Sequence, residues 1–108
     1  MIAALTPDTL QVIINFMIKS FKHKGLEAFF TNGDKAGIVI SHVKKLKVLL
    51  GMLNAATCAN DMNLPGFKFH KLKGQRKDVF SVSVNGNWRI TFKFNGKDAE
   101  VVNYEDYH

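Results

Sequence analysis

The chain has 108 residues, of which 46% are hydrophobic and 22% are charged, and its formal net charge is +6. This length supports one small domain with a single core, and no apolar stretch is long enough to span a bilayer. The excess positive charge favours a polyanionic partner, either nucleic acid or an acidic protein. The single cysteine, Cys58, excludes a disulfide framework and a cysteine-rich metal site, as is typical of cytoplasmic proteins.

The N-terminal segment differs from the rest of the chain in its charge. It contains no Lys or Arg and therefore lacks the charged region of a secretory signal. Thr6 and Pro7 are typical of a helix N-cap followed by proline at the first helical position, and apolar residues follow at helical spacing. We predict a short helix here. We interpret residues 1–16 as an N-terminal extension or an upstream start, and residues 17–108 as the domain.

The first half of this domain carries a candidate short first strand, residues 17–21, and two helical patterns. The first helix is predicted over residues 25–31, and Asn32-Gly33 is a usual helix stop. Ser41 is a suitable N-cap for the second helix. The apolar faces consist of Leu26, Phe29 and Phe30 in the first helix and of Val43, Leu46, Leu49, Leu50 and Leu53 in the second.

After Gly66 the apolar period changes from helical to alternating, which indicates strands with one buried and one polar face. A two-residue turn at Asn85-Gly86 would set Val82 opposite Arg89, so that apolar and charged side chains would share one face of the sheet. A three-residue loop pairs Val82 with Ile90 instead, so we predict that register. The alternating runs are residues 67–70, 80–84 and 88–94, with turns at Asn85-Gly86 and Asn95-Gly96.

The alternation of buried and polar side chains also predicts the architecture. Pairing Phe94 with Ala99 in the second hairpin places Val101 beside Phe92 in the core. The predicted fold class is therefore α+β, with the N-terminal helices packed on one face of a small antiparallel sheet. If the last strand stays extended, the open face carries His70, Arg89, Tyr104, Asp106 and His108, whereas Lys73 does not follow the alternation.

Two short segments contain residues suited to acid–base chemistry. The chain ends in NYEDYH, residues 103–108, and a second histidine lies in the lysine-rich run HKLKG, residues 70–74. An imidazole transfers protons near neutral pH, so a basic chain with this pair is a candidate RNA-cleaving enzyme. A terminal histidine can also be a solvated chain end. The chain has no Gly-rich phosphate loop, nucleophile elbow or zinc signature, and we expect neither a metal nor another cofactor.

From residue 17 onward the chain resembles a HigB-type toxin of the RelE/ParE superfamily, the toxic half of bacterial toxin–antitoxin operons. The resemblance implies a compact RelE-like α+β fold and an endoribonuclease that cuts the mRNA codon in the ribosomal A site and so inhibits translation. The chain departs from the pattern at Lys71, where relatives often have proline. The segments that carry the resemblance are MIKSFKHKGL (17–26), HKLKG (70–74), VNGNWRITF (84–92) and NYEDYH (103–108).

The resemblance also implies partners. A HigA-like helix-turn-helix antitoxin would inhibit the toxin, and the two proteins together would repress their operon, so that the toxin meets operator DNA only through the antitoxin complex. The ribosome, with its 16S rRNA and A site, and mRNA would be the other partners. The protein would then act in the cytoplasm, and no membrane would be among its partners.

The resemblance assigns roles to particular residues. The two histidines are acid–base candidates, and the lysine and arginine suit the charge on the phosphoryl oxygens. The aspartate would orient a neighbour, and the tyrosine would stack on a base or position the phosphate. These catalytic positions are His70, Lys73, Arg89, Asp106, Tyr107 and His108. Contacts to RNA or the ribosome are predicted for Lys44, Lys45, Lys47, Lys68, Lys71, Arg76 and Lys93.

Other interpretations of the sequence remain open. Arg89 could pair with Glu100 or Glu105 instead of a phosphate, Asp106 could be a surface carboxylate, and the helix lysines could be a solvated face. Two other functions also fit the charge, namely a ParE-like toxin that inhibits gyrase and an RNA- or ribosome-binding module without catalysis. Of the remaining side chains, His23 and His42 are expected to be structural or solvent-facing, Tyr104 to serve packing rather than chemistry, and Trp88 to lie in the core.

Overall fold

The computed structural model describes residues 17–76 and 78–106. Four antiparallel strands form one sheet in the order β1-β2-β3-β4, and two helices contribute to the core on one of its faces. The predicted α+β architecture is confirmed. The helices are α1 (Lys24–Asn32) and α2 (Val43–Ala55), and the strands are β1 (His70–Lys71), β2 (Phe80–Asn85), β3 (Trp88–Asn95) and β4 (Asp98–Asp106).

Three of the predicted features lie outside the described residues. They are the short helix within residues 1–16 and the catalytic candidates Tyr107 and His108. In the part of the chain that is described, no helix is long and apolar enough to cross a membrane.

Helix α1 begins one residue before the predicted Gly25 and ends at the predicted stop. The His23 imidazole is the N-cap, since its Nδ1 accepts a hydrogen bond from the Leu26 amide at 2.9 Å. Gly33 adopts a left-handed φ of 73°, and its N–H bonds back to the last turn. Leu26 and Phe29 are buried. The predicted stop at Asn32-Gly33 and the structural role of His23 are therefore confirmed.

Helix α2 starts differently from the prediction. A 3-10 turn over Ile40–His42 leads directly into the helix, and His42 occupies the N-cap position without a side-chain cap hydrogen bond. The predicted cap at Ser41 is wrong because this residue lies inside the 3-10 turn and is exposed. The apolar face is as predicted, with Leu46, Leu49, Leu50 and Leu53 buried.

The short strand predicted at residues 17–21 is wrong as a regular strand, although the segment lies along the outer edge of β4. It is joined there by isolated parallel bridges, Ile18 to Ala99 and Phe21 to Val102, rather than by a regular strand. The Lys19 amide donates to the Ala99 carbonyl at 2.8 Å. This pairing brings the beginning of the domain next to its last strand.

The predicted register of the first hairpin is confirmed. Val82 pairs with Ile90. The predicted three-residue loop is wrong, because a bulge after Ser83 sets Asn85 opposite Trp88 and leaves a two-residue turn, Gly86-Asn87. The strand predicted over residues 67–70 is wrong in its bounds. Lys68 has a left-handed φ of 51°, and regular pairing begins only at His70. A positive φ in a residue other than glycine interrupts the extended alternation.

A bulge in β4 overturns the predicted face of the last strand. Phe94 does pair with Ala99, but Val101 has a φ of 52° and is 41% exposed, whereas Val102 is fully buried. The extra residue inverts the alternation after it. Tyr104 therefore pairs with Ile90 on the core side and is buried, contrary to the prediction that it lies on the open face.

Candidate functional site

A pocket of about 360 Å³ opens on the face of the sheet opposite the helices. We call it the His70 pocket, and its lining residues are Lys68, Phe69, His70, Ser81 and Arg89. Two of the predicted catalytic residues, His70 and Arg89, therefore meet in one pocket together with Lys68, a predicted RNA contact. Residues of three different strands or their ends contribute to it, so the sheet itself sets their relative positions.

Strand pairing places each of these side chains. His70 is the first residue of β1 and pairs with Ser81, while Arg89 pairs with Ser83 on one side and with Glu105 on the other. The indole of Trp88 packs toward the core, with its ring centroid 4.6 Å from that of Tyr104. Since successive side chains alternate between faces, Arg89 is directed to the open face. His70 is exposed and Arg89 is half-buried.

Ser81 has an unsatisfied hydroxyl. The residue is only 1% exposed, yet its Oγ has no hydrogen-bond partner among the described residues. Buried polar atoms of this kind are uncommon and call for a reason such as a catalytic role. Sequence analysis did not identify Ser81, because a serine in an alternating strand is indistinguishable from any other polar-face residue.

A carboxylate lies across the strand from Arg89. Glu105 accepts hydrogen bonds from Arg76 and from the Thr91 hydroxyl, the latter at 2.6 Å. Burial by itself raises the pKa of Glu105, but the hydrogen bonds from Arg76 and Thr91 outweigh it and hold the pKa below its usual value. Glu105 is therefore an anion that organises the open face.

Lys73 is exposed and is not among the residues that line the His70 pocket. It lies between β1 and a 3-10 turn over Gly74–Arg76. The loop that carries it is closed by a hydrogen bond from the Leu72 amide to the Val79 carbonyl at 2.8 Å. The loop is also tied to the sheet through the ion pair of Arg76 with Glu105 of β4. Since Glu105 lies on the open face, this pair brings the loop that carries Lys73 to the edge of that face.

The register of Asp106 differs from the prediction. Asp106 pairs with Trp88 at the end of β4, so it shares the parity of Tyr104 rather than that of Arg89. The predicted placement of Asp106 on the open face by strand alternation is therefore wrong. Its neighbour Glu105 occupies the register position opposite Arg89, and the cause is the bulge at Val101.

A buried aromatic cluster supports the other side of these strands. The Nδ1 of His42 lies 2.6 Å from the Tyr104 hydroxyl, and this hydroxyl also accepts from the Val39 amide at 3.4 Å. Burial lowers the pKa of His42 and raises that of Tyr104. Both effects favour a neutral pair in which the phenol donates to the imidazole. The expected structural roles of His42, Tyr104 and Trp88 are confirmed.

The predicted RNA contacts are divided between two sides of the molecule. Lys44, Lys45 and Lys47 belong to α2 and hence to the helical layer, away from the His70 pocket. Among these three, Lys45 lies over an aromatic ring, with its Nζ 5.1 Å from the centre of the Phe67 ring. In the described part of the chain, no group of three or more His, Cys, Asp or Glu residues is arranged to hold a metal ion.

Comparison with known proteins identifies the family. A family model described as RelE-like toxin of type II toxin-antitoxin system HigB matches residues 19–108. Endoribonuclease HigB of Proteus vulgaris is 45% identical over 92 residues, which cover 85% of this chain and 100% of that protein. Toxin HigB-1 of Vibrio cholerae serotype O1 is 31% identical over 80 residues, covering 72% of this chain and 84% of that protein. Since the family model spans nearly the whole chain, this protein belongs to the HigB family of RelE-like toxins of type II toxin–antitoxin systems.

Proposed function

We propose that this toxin is an endoribonuclease that cuts mRNA in the ribosomal A site and thereby inhibits translation. The observation that carries the proposal is the meeting of His70 and Arg89 in one pocket on the open face. The relative from Proteus vulgaris is named an endoribonuclease, and the net charge of +6 suits a polyanionic substrate.

The proposed chemistry needs no metal. A general base takes the proton of the 2′-hydroxyl, the 2′-oxygen forms a bond to phosphorus, and the bond from phosphorus to the 5′-oxygen breaks. A general acid protonates the departing 5′-oxygen, which leaves a cyclic phosphate on the other fragment. His70 and His108 are the proposed acid and base, and Arg89 is the proposed ligand of the phosphoryl oxygens.

The other family positions have supporting roles in this proposal. Lys73, at the rim of the open face, adds positive charge near the phosphate. Asp106 orients a catalytic neighbour, and Tyr107 stacks on a base or positions the phosphate. Ser81 would add a hydrogen bond from the floor of the pocket to the substrate, because its hydroxyl has no described partner. Lys68 lies in the same pocket and is a direct RNA contact.

The partners follow from the family and the proposed activity. Membership of a type II toxin–antitoxin family implies an antitoxin partner. We propose that this antitoxin is a HigA-like helix-turn-helix protein, and that the toxin reaches operator DNA only within their complex. The ribosome and mRNA are the cytoplasmic targets. The remaining predicted contacts, Lys44, Lys45, Lys47, Lys71, Arg76 and Lys93, would meet RNA or ribosomal surface.

Cleavage of a defined mRNA by the purified protein tests the proposal, with and without ribosomes that hold a chosen codon in the A site. We expect cutting only on the ribosome and a cyclic phosphate at the new end. His70→Ala should abolish cutting, whereas the exposed hairpin variant Lys97→Ala should cut like the wild type. Cutting that persists in His70→Ala would contradict the proposed chemistry. Toxicity that survives loss of both His70 and His108 would indicate gyrase inhibition or binding alone.

The proposed domain boundary can be tested with the same assay. A chain that starts at Met17 retains every described strand and helix. We expect this shortened protein to melt at the same temperature and to cleave at the same rate as the full chain. A lower melting temperature would show that residues 1–16 belong to the folded domain rather than to an extension.

A further inference from the structure

A second pocket, of about 220 Å³, lies on the open face of the sheet. We call it the lysine pocket, and its polar lining residues are Lys22, Gln75, Arg76, Thr91, Lys93 and Asn103. Three of these are cations, and none of the residues that line the pocket, all of which are described, is acidic. Amines, a guanidinium and two side-chain amides are donors suited to phosphate oxygens.

The charge of this pocket is only partly compensated. Arg76 is paired with Glu105, its Nη2 lying 2.7 Å from a carboxylate oxygen. Lys22 and Lys93 are exposed and supply the excess positive charge. Glu100 is the register partner of Lys93, but no ion pair joins these two described side chains. The pocket therefore retains two ammonium groups for an anion.

The lysine pocket continues the His70 pocket across the sheet. Ser81 lines the first pocket and Thr91 lines the second, and these two residues are direct partners on neighbouring strands. Arg89, Thr91 and Lys93 occupy alternate positions of β3 on the open face, so Arg89 and Lys93 are separated by about 13 Å. A single nucleic acid strand presents phosphates at regular intervals, so one strand can place phosphates in both pockets.

We propose that the lysine pocket is a second phosphate subsite, which holds another phosphodiester of the same RNA strand that is cut in the His70 pocket. This inference rests on the proposed function, because it takes the His70 pocket as the site of cleavage. Lys22 and Lys93 bind the phosphate, while Thr91 and Arg76 are held in place by Glu105.

Only the fold brings Lys22 to this place. The bridge from Phe21 to Val102 and the hydrogen bond from the Lys22 amide to the Val102 carbonyl, at 2.8 Å, hold the end of the N-terminal segment beside β4. Asn103 follows Val102 on the open face. A lysine early in the chain thus becomes a neighbour of Lys93.

Binding of uncleavable 2′-O-methyl oligonucleotides of increasing length tests the subsite with the purified full chain. The double variant Lys22→Gln/Lys93→Gln should bind long oligonucleotides about tenfold more weakly than the wild type. The slope of log affinity against log salt should fall by about 0.7, the value for one phosphate contact on a single strand. For the shortest oligonucleotides, which fill only the His70 pocket, the double variant should lose no more affinity than the matched control. The matched control is Lys19→Gln/Lys97→Gln, which removes the same charge from exposed positions outside both pockets.

Equal losses in the two double variants, or a loss that is the same at every length, would overturn the subsite. The phosphate subsite would also be overturned if the lysine pocket instead bound an acidic segment of the antitoxin. In that case the double variant would lose antitoxin affinity and would bind oligonucleotides like the control. Arg89→Gln separates the two proposals, because it should weaken binding at every length. Normal binding by Arg89→Gln would refute the proposed cleavage site, independently of the subsite.

Discussion

The guanidinium of Arg76 and the carboxylate of Glu105 form a two-bonded ion pair across the open face. Nη2 lies 2.7 Å from Oε2, and Nη1 lies 3.2 Å from Oε1. The pair joins the loop after β1 to the last strand. Because that loop carries Lys73, the pair connects a predicted catalytic residue to the sheet.

We expect Glu105→Gln to lower the free energy of unfolding near neutral pH by about 1–2 kcal/mol, a value reduced by solvent because Arg76 is 41% exposed. The folded pKa of Glu105 is depressed, so its contribution is present above its ordinary pKa of 4.5 and is lost as the pH falls below that value through the folded pKa. Urea unfolding of the wild type and the variant at neutral and acid pH measures this. The difference should vanish in acid.

The control for this experiment is Glu100→Gln, which removes the same charge from the same strand. No ion pair of Glu100 is present in the described part of the chain. We expect its effect to stay below about 0.5 kcal/mol at either pH. A decrease in the free energy of unfolding that is the same at neutral and acid pH in Glu105→Gln would contradict the assigned role of the carboxylate.

The Tyr104 hydroxyl should contribute to stability rather than to cleavage. Tyr104→Phe leaves the buried His42 imidazole and the Val39 amide without this partner, which should cost about 1–3 kcal/mol in the free energy of unfolding. Chemical denaturation followed by the fluorescence of Trp88 measures the loss. In a His42→Leu background the same substitution should cost clearly less. An equal cost in both backgrounds would show that the hydroxyl and the imidazole are not coupled.

Protonation of His42 should destabilise the fold. Burial lowers its pKa from the ordinary 6.5, so the unfolded chain binds the proton more readily than the folded chain does. The contribution of the neutral His42 imidazole to the free energy of unfolding is fully present above pH 6.5. It is lost as the pH falls below that value through the folded pKa. We expect His42→Gln to lose less stability than the wild type between about pH 8 and pH 5. Identical losses would show that protonation of His42 does not contribute to the pH dependence of stability.

The buried hydroxyl of Ser81 should matter for substrate and not for folding. Ser81→Ala removes a polar atom that has no described partner, so the free energy of unfolding should be unchanged or slightly higher. Cleavage should fall about tenfold if the hydroxyl bonds the substrate. Ser83→Ala, two residues along the same strand and outside the His70 pocket, is the matched control. A large loss of stability in Ser81→Ala would instead indicate a structural role.

The geometry of the Arg89 side chain should matter more than its charge. Arg89→Lys retains the positive charge but cannot place two parallel donors on one phosphate. We expect cleavage to fall about 100-fold with little change in melting temperature. Lys97→Arg, an exchange in the opposite direction at an exposed turn, should leave the rate unchanged. Near-normal cleavage by Arg89→Lys would show that charge alone is required at this position.

Local sequence determined the elements of this fold and much of their pairing. The stop of α1 at Gly33, the apolar face of α2 and the pairing of Val82 with Ile90 all follow from patterns within one element or one hairpin. The motifs around His70 and Arg89 were sufficient to name both residues, because family positions are short-range features of the chain. Strand alternation then placed these two residues correctly on the open face.

Only the tertiary structure decided the positions that depend on distant pairing. Val101 adopts its bulge while its amide donates to the Ser20 hydroxyl and its neighbours pair with residues 17–21, a segment from the other end of the domain. One extra residue inverts every later side chain, so Tyr104 entered the core and Glu105 came to lie beside Arg89. The unsatisfied hydroxyl of Ser81 and the neighbourhood of Lys22 arise for the same reason. They depend on contacts between segments far apart in sequence, which no local pattern contains.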